Sequence, residues 1–256
     1  MKFLKKHQKA VFLTLGVLFV ILLWEIIAYA TSQTFLKDFF LTCKESILLL
    51  GKSDTYLNLG FTLLRLLISF IISFVLGTTL GILGGYYPQV EHFLSPLISV
   101  MKSFPTIALA LLTVVFLPNF SLVLTSFALF PLLYLASLEG SKKTYQQYEY
   151  IIRMKGRKHF SNITSVILPL SSNYLLLGAL QSLTFGFKVE IMAETLSYRS
   201  TFLGVGRMIY LCYSSVDYLS LMAWVLLVLI LSLVIDVLLN YVKNKIESAV
   251  KKPEED

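Results

Sequence analysis

The chain has 256 residues, of which 56% are hydrophobic and only 14% are charged, and its mean hydropathy is +0.75. Soluble domains usually carry about 25% charged residues, so the composition excludes an ordinary soluble enzyme and indicates a membrane protein. A helix crosses a bilayer with about 20 apolar residues, so six spans would use roughly 120 to 150 residues. That leaves no room for a large soluble catalytic domain.

Four long stretches without charge locate most of the spans, because a charge at the bilayer centre costs at least about 2.5 kcal/mol. The stretch between residues 102 and 139 is too long for one helix, and Pro118-Asn119 supplies a turn inside it. The sequence therefore predicts an all-α membrane protein whose residues 1–256 form a single transmembrane domain. The six predicted spans are 10–29, 59–86, 93–117, 120–138, 163–187 and 218–242.

The first predicted span also imitates a secretory signal, since it has a Lys-rich start, an apolar core and an Ala28-Tyr29-Ala30 sequence of the A-x-A type. Its apolar run from Ala10 is longer than a usual signal core, and cleavage would leave five spans. An uncleaved anchor is the preferred interpretation.

The distribution of Lys and Arg predicts the orientation, because positively charged loops stay in the cytoplasm. With the amino terminus inside, 14 of the 22 Lys and Arg residues fall on inner segments and five on outer segments. Both termini are therefore predicted to be cytoplasmic. The net charge of +7 is explained by contact with anionic lipid headgroups, so no nucleic-acid partner is expected.

Residues that commonly bind metals are few and scattered. Cys43 and Cys212 fall in predicted outer loops, where two free thiols are favoured and a disulfide stays open. No two of His7, His92 and His159 share a helix face. The sequence therefore predicts no metal site.

Three glycines recur at four-residue intervals in the second span. Gly77, Gly81 and Gly85 lie on one helical face, where a neighbouring backbone can approach closely. Helix packing is the primary interpretation, and a part in a moving translocation interface is the alternative.

The connection 139–162 combines many charges with an apolar stripe at helical spacing, formed by Tyr145, Tyr148, Ile151 and Ile152. Gly156 then breaks the helix or permits a tight turn, and a second short helix leads to the fifth span. Such a hairpin is typical of a docking surface for a soluble partner. An amphipathic hairpin lying on the lipid surface is the alternative.

The segment from Gly156 to Val166-Ile167-Leu168-Pro169 resembles the EAA loop of binding-protein-dependent ABC importer permeases, whose pattern is E-A-A, three residues, Gly, nine residues and I-x-L-P. Other matching segments are Leu23-Trp24-Glu25, Thr62-Leu63-Leu64-Arg65, Lys102-Ser103-Phe104-Pro105-Thr106-Ile107-Ala108, Ala193-Glu194 and Leu203-Gly204-Val205-Gly206. Together they span nearly the whole chain. The chain resembles the permease subfamily that serves sulfonates, taurine, nitrate and vitamin precursors such as the thiamine pyrimidine.

One part of the pattern differs in this chain. The family's Glu and two Ala positions fall on Tyr150, Ile151 and Ile152, and Glu149 is displaced by one residue. Larger apolar side chains imply an ATPase adapted to this permease rather than shared with others. The residues that the resemblance implies for ATPase coupling are Tyr145, Tyr148, Glu149, Tyr150, Ile151, Ile152, Gly156, Leu168 and Pro169.

The resemblance implies a type I ABC importer fold and a defined set of partners. Two permease copies, expected to form a homodimer, would enclose a central path, each docking on one ATPase subunit, while an extracytoplasmic binding protein delivers the solute. The chain contains no G-x-x-x-x-G-K-[ST] phosphate loop, so we do not expect it to hydrolyse ATP. The resemblance implies that this subunit is not an enzyme and binds no cofactor. ATP and Mg²⁺ would be used by the partner ATPase.

Polar residues inside the spans are candidates for the translocation path, because burying them in lipid is costly. A cationic patch suits a sulfonate, phosphate or carboxylate, whereas the abundant aromatic residues equally suit a heteroaromatic solute. The alternative for Lys102 and Lys188 is that they reach out to lipid headgroups. The predicted path residues are Lys102, Ser103, Pro105, Gln181, Thr184, Lys188, Glu190 and Glu194.

Two other functional classes stay open at this point. An ATP-independent secondary transporter or channel would need no docking hairpin, and the sequence shows no internal repeat of the kind such transporters often have. A membrane-embedded enzyme would need His or carboxylate side chains that converge at one depth, and none do. The permease interpretation is therefore preferred.

Overall fold

The computed structural model describes residues 2–32, 36–154, 160–196 and 203–250. These residues form helices and turns without any strand, which confirms the predicted all-α class. The helices are α1 (Lys2–Ala30), α2 (Phe39–Leu50), α3 (Ser53–Tyr86), α4 (Pro88–Ser103), α5 (Thr106–Phe116), α6 (Phe120–Met154), α7 (Phe160–Asn162), α8 (Leu168–Thr195), α9 (Val205–Ser214) and α10 (Tyr218–Val250). The three-residue helix α7 leads through a π-helical turn (Ile163–Ile167) into α8.

Among the described residues, four helical segments are long and apolar enough to cross a bilayer: α3, most of α6, α8 with its preceding π turn, and α10. Helices α4 and α5 qualify together as a fifth, although they are bent by 92° at the break between them. Helix α1 has a shorter apolar part, Thr14–Ala30. The four or five apolar spans fit the predicted architecture, while the count of six stays a prediction that requires α1.

Several predicted span boundaries differ from the structure, since α3 begins at Ser53, α8 continues to Thr195 and α10 continues to Val250. Two further differences change the architecture. The span 93–117 is not one helix, because Pro105 lacks an N–H group and restricts the residue before it to extended backbone. Phe104 and Pro105 are both extended, with ψ angles of 125° and 116°. The span 120–138 does not end at its predicted boundary but continues to Met154, so the connection 139–162 begins as an extension of the span helix.

One compact unit comprises residues 1–57 and 208–230. In this unit the indole N–H of Trp24 donates to the carbonyl of Lys37 (2.9 Å), and the carboxylate of Glu25 accepts the N–H of Phe39 (3.1 Å). These two bonds hold the start of α2 against α1. Both Cys43 and Cys212 are free thiols.

The other unit comprises residues 58–207 and 231–256, and its helices α3 and α6 pack closely along the glycine repeat. A Cβ atom on Gly77 would lie 3.0 Å from Cβ of Leu133, and one on Gly85 would lie 2.5 Å from Cβ of Ser141. On Gly81 it would meet the backbone carbonyl of Tyr134. No other residue type fits this contact without moving the helices apart.

Candidate functional site

An apolar cluster joins the end of α6, the end of α3 and the π-helical turn before α8. Ile152, near the end of α6, is only 2% exposed and packs there beside Tyr86. The rings of Tyr145 and Tyr86 make an edge contact with centroids 5.5 Å apart, and Tyr148 packs at the border. This Tyr86 cluster, as we call it below, consists of Ile82, Tyr86, Ile152, Ile163 and Ile167.

The opposite face of the same helix end is exposed and apolar. Tyr150 is 77% exposed, Ile151 49% and Met154 72%. The backbone of Tyr148 is non-helical (φ −111°, ψ 16°), so the helix bends just before this face. We call Tyr150, Ile151 and Met154 the exposed face of α6.

The residues of the predicted coupling stripe thus fall into two groups, one packed within the chain and one exposed. Tyr145, Tyr148 and Ile152 pack within the chain, Glu149 is half-buried, and Tyr150 and Ile151 are exposed. Leu168 and Pro169 begin α8 and are exposed. Gly156 lies outside the described residues.

The predicted path residues do not gather in one place. Lys102, Ser103 and Pro105 lie at the break between α4 and α5, where all three are exposed. Lys102 lines a cavity between α4 and α6. The side chain of Lys188 on α8 is exposed, and that residue lines neither of the two cavities described here.

A second cavity, of about 130 Å³, lies between α8 and α10. Gln181 and Thr184 line it together with Asp236, and the Thr184 hydroxyl donates to Asp236 Oδ1 at 2.7 Å. Asp236, which its place in the sequence would assign to the interface, therefore meets two of the predicted path residues. The two cavities share no lining residue.

Glu194, near the end of α8, is completely buried and accepts three hydrogen bonds. The Thr62 hydroxyl donates to Oε2 at 2.8 Å, and Arg65 Nη1 donates to Oε1 at 2.7 Å. The N–H of Gly206 completes the set at 3.0 Å from Oε2. Both carboxylate oxygens are therefore satisfied, as a buried ion pair requires.

The same face of α3 also binds the segment that follows α8. Asn58 Oδ1 accepts the N–H of Gly204 at 2.8 Å, and the Thr62 hydroxyl oxygen accepts the N–H of Val205 at 2.9 Å. Arg65 Nη1 donates to the carbonyl of Leu203 at 2.6 Å. These contacts tie the start of α9 to α3. We call the whole set the Glu194 network, formed by Asn58, Thr62, Arg65, Glu194 and residues 203–206.

Glu190, one turn before Glu194, is also completely buried. The Thr125 hydroxyl donates to its Oε2 at 2.7 Å. Its Oε1 and the Ser182 hydroxyl have no hydrogen-bond partner in the described part of the chain. A face of α8 that contains Ser182 and Glu190 is thus polar where it packs inside the protein, which is rare in a membrane span and typical of a functional position.

Sequence reasoning did not predict the parts played by Thr62, Arg65 and Asp236. The signal for Arg65 and Asp236 was present, since a charge within an apolar run requires a partner. Which partner it finds depends on how the helices pack, and spacing along one chain does not contain that information. Among the described residues, no cluster of His, Cys, Asp and Glu could hold a metal ion.

The comparison with protein families decides the identity. Residues 77–248 match the family described as "Binding-protein-dependent transport system inner membrane component". The chain belongs to this family. It is a multi-pass membrane permease of the ABC importer class, and the matched region contains α6, α8 and their connection.

Individual relatives agree with this assignment. The chain is 26% identical over 199 residues to a Bacillus subtilis (strain 168) protein named "Putative aliphatic sulfonates transport permease protein SsuC", covering 74% of this chain and 70% of the relative. Two crystal forms of the inward-facing MetNI methionine ABC transporter superpose with a TM-score of 0.63 each. They share 18% and 16% identity and cover 75% and 78% of this chain, and 93% and 100% of those chains. The solved structures show that the permease has the type I fold.

Proposed function

We propose that this permease forms half of the translocation path of an ABC importer and receives its energy from a separate ATPase subunit that binds the exposed face of α6. The observation that carries the proposal is that the end of α6 has two apolar sides, one buried within the chain and one exposed. One side is buried in the Tyr86 cluster, while Tyr150, Ile151 and Met154 present apolar side chains to a partner. A solvated helix end would not need three exposed apolar residues on one face.

The buried side of the same helix end explains how movement would reach the membrane. Ile152 belongs to the same cluster as Tyr86, at the end of α3, and Ile167, in the π-helical turn that leads into α8. Asn162 Nδ2 also donates to the Tyr86 hydroxyl at 3.3 Å. A push on the exposed face of α6 would therefore move the ends of three membrane helices together, which is what alternating access requires.

The remaining parts of the proposed assembly follow from the same function. A second copy of the chain completes the path, an extracytoplasmic binding protein delivers solute, and both termini lie in the cytoplasm with α1 as the sixth span. The solute is a small anion, with an aliphatic sulfonate as the leading candidate. Resemblance to the Bacillus subtilis permease supports the sulfonate class. Lys102 at the helix break, which forms no salt bridge with any described residue, supports an anion.

Replacing Tyr150 and Ile151 together by Asp tests the docking face. Hot-spot residues at an interface each contribute 2 kcal/mol or more, so we expect roughly a tenfold or greater loss of ATPase subunit retained with the permease in mild detergent. The ratio of the two proteins is measured by quantitative mass spectrometry of affinity-purified material.

Tyr213→Asp is the matched control, because Tyr213 is 65% exposed and lies in α9, on the side predicted to face outward. We expect this variant to retain the ATPase at the wild-type ratio. Equal retention by all three proteins would contradict docking at the exposed face of α6.

A further inference from the structure

Helix α4 packs on the C-terminal half of α6. Leu94 and Ile98 of α4 form one cluster with Tyr134 and Leu138 of α6, and all four side chains are buried. These side chains hold the two helices together, since their close contacts would be lost if the helices separated. Movement of this half of α6 would therefore take α4 with it.

An ion pair joins the same two helices at the start of α4. Lys142 Nζ lies 2.6 Å from Glu91 Oε1, and the two side chains are 42% and 24% exposed. Glu91 is in the first turn of α4, and Lys142 lies on α6 between the buried cluster and the exposed face of α6. A partly exposed pair adds little to stability. Its position, however, fixes the start of α4 to the part of α6 that leads to the exposed face.

Helix α5 is attached to a different part of the protein. It packs against the first turns of α6 and the last turns of α8. The buried cluster there consists of Ala110, Val114, Phe120, Leu124, Val189 and Ala193. Although α4 and α5 are consecutive in the chain, they therefore belong to different groups of packed helices.

Two prolines lie between these groups. Pro105 separates α4 from α5, and both Phe104 and Pro105 have extended backbone. Pro131 lies inside α6, between Leu124 of one group and Tyr134 of the other. A proline removes a helical hydrogen bond, and hinges are usually a few residues at the ends of elements. The Phe104-Pro105 break is therefore suited to act as a hinge.

We infer that α4 is an arm that transmits movement of α6 to the break between α4 and α5, and that the Glu91–Lys142 ion pair is the positioning contact that holds this arm to α6. When the ATPase moves the end of α6, α4 follows and turns about Phe104-Pro105, while α5 stays with α8. Lys102 and Ser103, two predicted path residues at the end of α4, then change position relative to α5. The inference rests on the proposed function for the source of the movement.

The turn of α4 relative to α5 can be measured as a distance between two spin labels. The labels are attached at Leu97→Cys on α4 and Leu112→Cys on α5, which are 52% and 51% exposed, in a Cys43→Ser, Cys212→Ser background. The permease is purified with its ATPase, with labelled chain diluted into unlabelled chain, and double electron–electron resonance is recorded without nucleotide and with ATP and orthovanadate. We expect nucleotide to shift the mean distance by about 2 to 5 Å, the size of known helix movements.

A matched pair of labels controls for general movement. Leu112→Cys with Val123→Cys joins α5 to the first turns of α6, and Val123 is 44% exposed. Both positions belong to the group that moves as one. We expect nucleotide to leave this distance unchanged.

Glu91→Gln tests the ion pair. Because the pair is partly exposed, the variant should fold and retain the ATPase at the wild-type ratio, yet lose the shift between residues 97 and 112. Glu139→Gln is the matched control, since Glu139 lies 4.0 Å from Lys143 of the same helix and joins no second helix to α6. This control should keep the shift, and the exchanged pair Glu91→Lys/Lys142→Glu should restore it.

Three results would overturn the inference. The first is the absence of a shift between residues 97 and 112 in wild type, or an equal shift in the control pair of labels. The second is a shift of the same size in wild type and Glu91→Gln. The third is a loss in Glu91→Gln that the exchanged pair does not restore.

The two proposals fail in different ways. Absence of the shift, together with ATPase retention that depends on Tyr150 and Ile151, would overturn only the arm. A shift that depends on Glu91, together with ATPase retention that ignores the exposed face of α6, would overturn only the proposed docking site.

Discussion

Gly81→Leu should prevent the permease from folding. A Cβ atom at this position would meet the backbone carbonyl of Tyr134 and lie 2.6 Å from Cβ of Ser137, and neither helix can yield without opening the whole contact. Overpacking usually costs 1 to 3 kcal/mol, and a clash with backbone rather than a flexible side chain should cost about 3 kcal/mol or more. We expect the variant to be absent from the monodisperse peak in size-exclusion chromatography.

Gly60→Leu is the matched control, since Gly60 lies on the same helix and a Cβ atom there meets nothing within 4 Å. Leucine is the better helix former, so this variant should elute and melt like wild type. Normal yield and melting of Gly81→Leu would contradict the close packing of α3 and α6.

Glu194→Gln should give the second largest effect. Breaking a buried ion pair by neutralising one partner costs about 3 to 5 kcal/mol, because the remaining charge loses its counter-ion in a poorly solvated place. Here the remaining group is Arg65, whose side chain is 18% exposed, so we expect a loss near the lower end, about 3 kcal/mol. The measurement is the free energy of unfolding in mixed detergent and SDS micelles.

Glu139→Gln controls for the chemical change. Glu139 is 66% exposed and lies 4.0 Å from Lys143, so its replacement should change stability by less than about 0.5 kcal/mol. Hydrogen exchange gives an independent readout, because the N–H of Gly206 donates to Glu194. Exchange at Gly206 should accelerate in Glu194→Gln and not in Glu139→Gln. Equal stability and equal exchange in the two variants would contradict the Glu194 network.

The sequence predicts the helical class and most span positions, because the free-energy cost of placing a residue in the bilayer depends mainly on that residue's own side chain. The break at Phe104-Pro105 also follows from a local rule, namely the restricted backbone of proline and its predecessor. The bend of 92° between α4 and α5 does not follow from a local rule, since it depends on what each of the two helices packs against. The sequence does not predict the continuation of α6 to Met154, because charged residues mark where the bilayer ends and a helix can continue into water.

In the candidate sites, too, some features follow from the sequence and others depend on how the helices pack. The packing role of the glycine repeat can be predicted from the sequence, because glycines at four-residue spacing leave one helix face without side chains and so favour close helix packing. The sequence predicts that the coupling stripe is amphipathic, but it does not predict which residues are buried within the chain and which are exposed. Ile151 and Ile152 are the same residue type, yet Ile151 is 49% exposed and Ile152 only 2%.

The most direct test of the central claim is solute uptake by reconstituted permease. Proteoliposomes containing the permease, its co-purified ATPase and the binding protein should take up radiolabelled ethanesulfonate only when ATP is supplied on the ATPase side. The permease alone should take up none under a proton or sodium gradient. Uptake by the permease alone at the rate of the complete assembly would contradict the account, because the chain would then need no partner to energise transport.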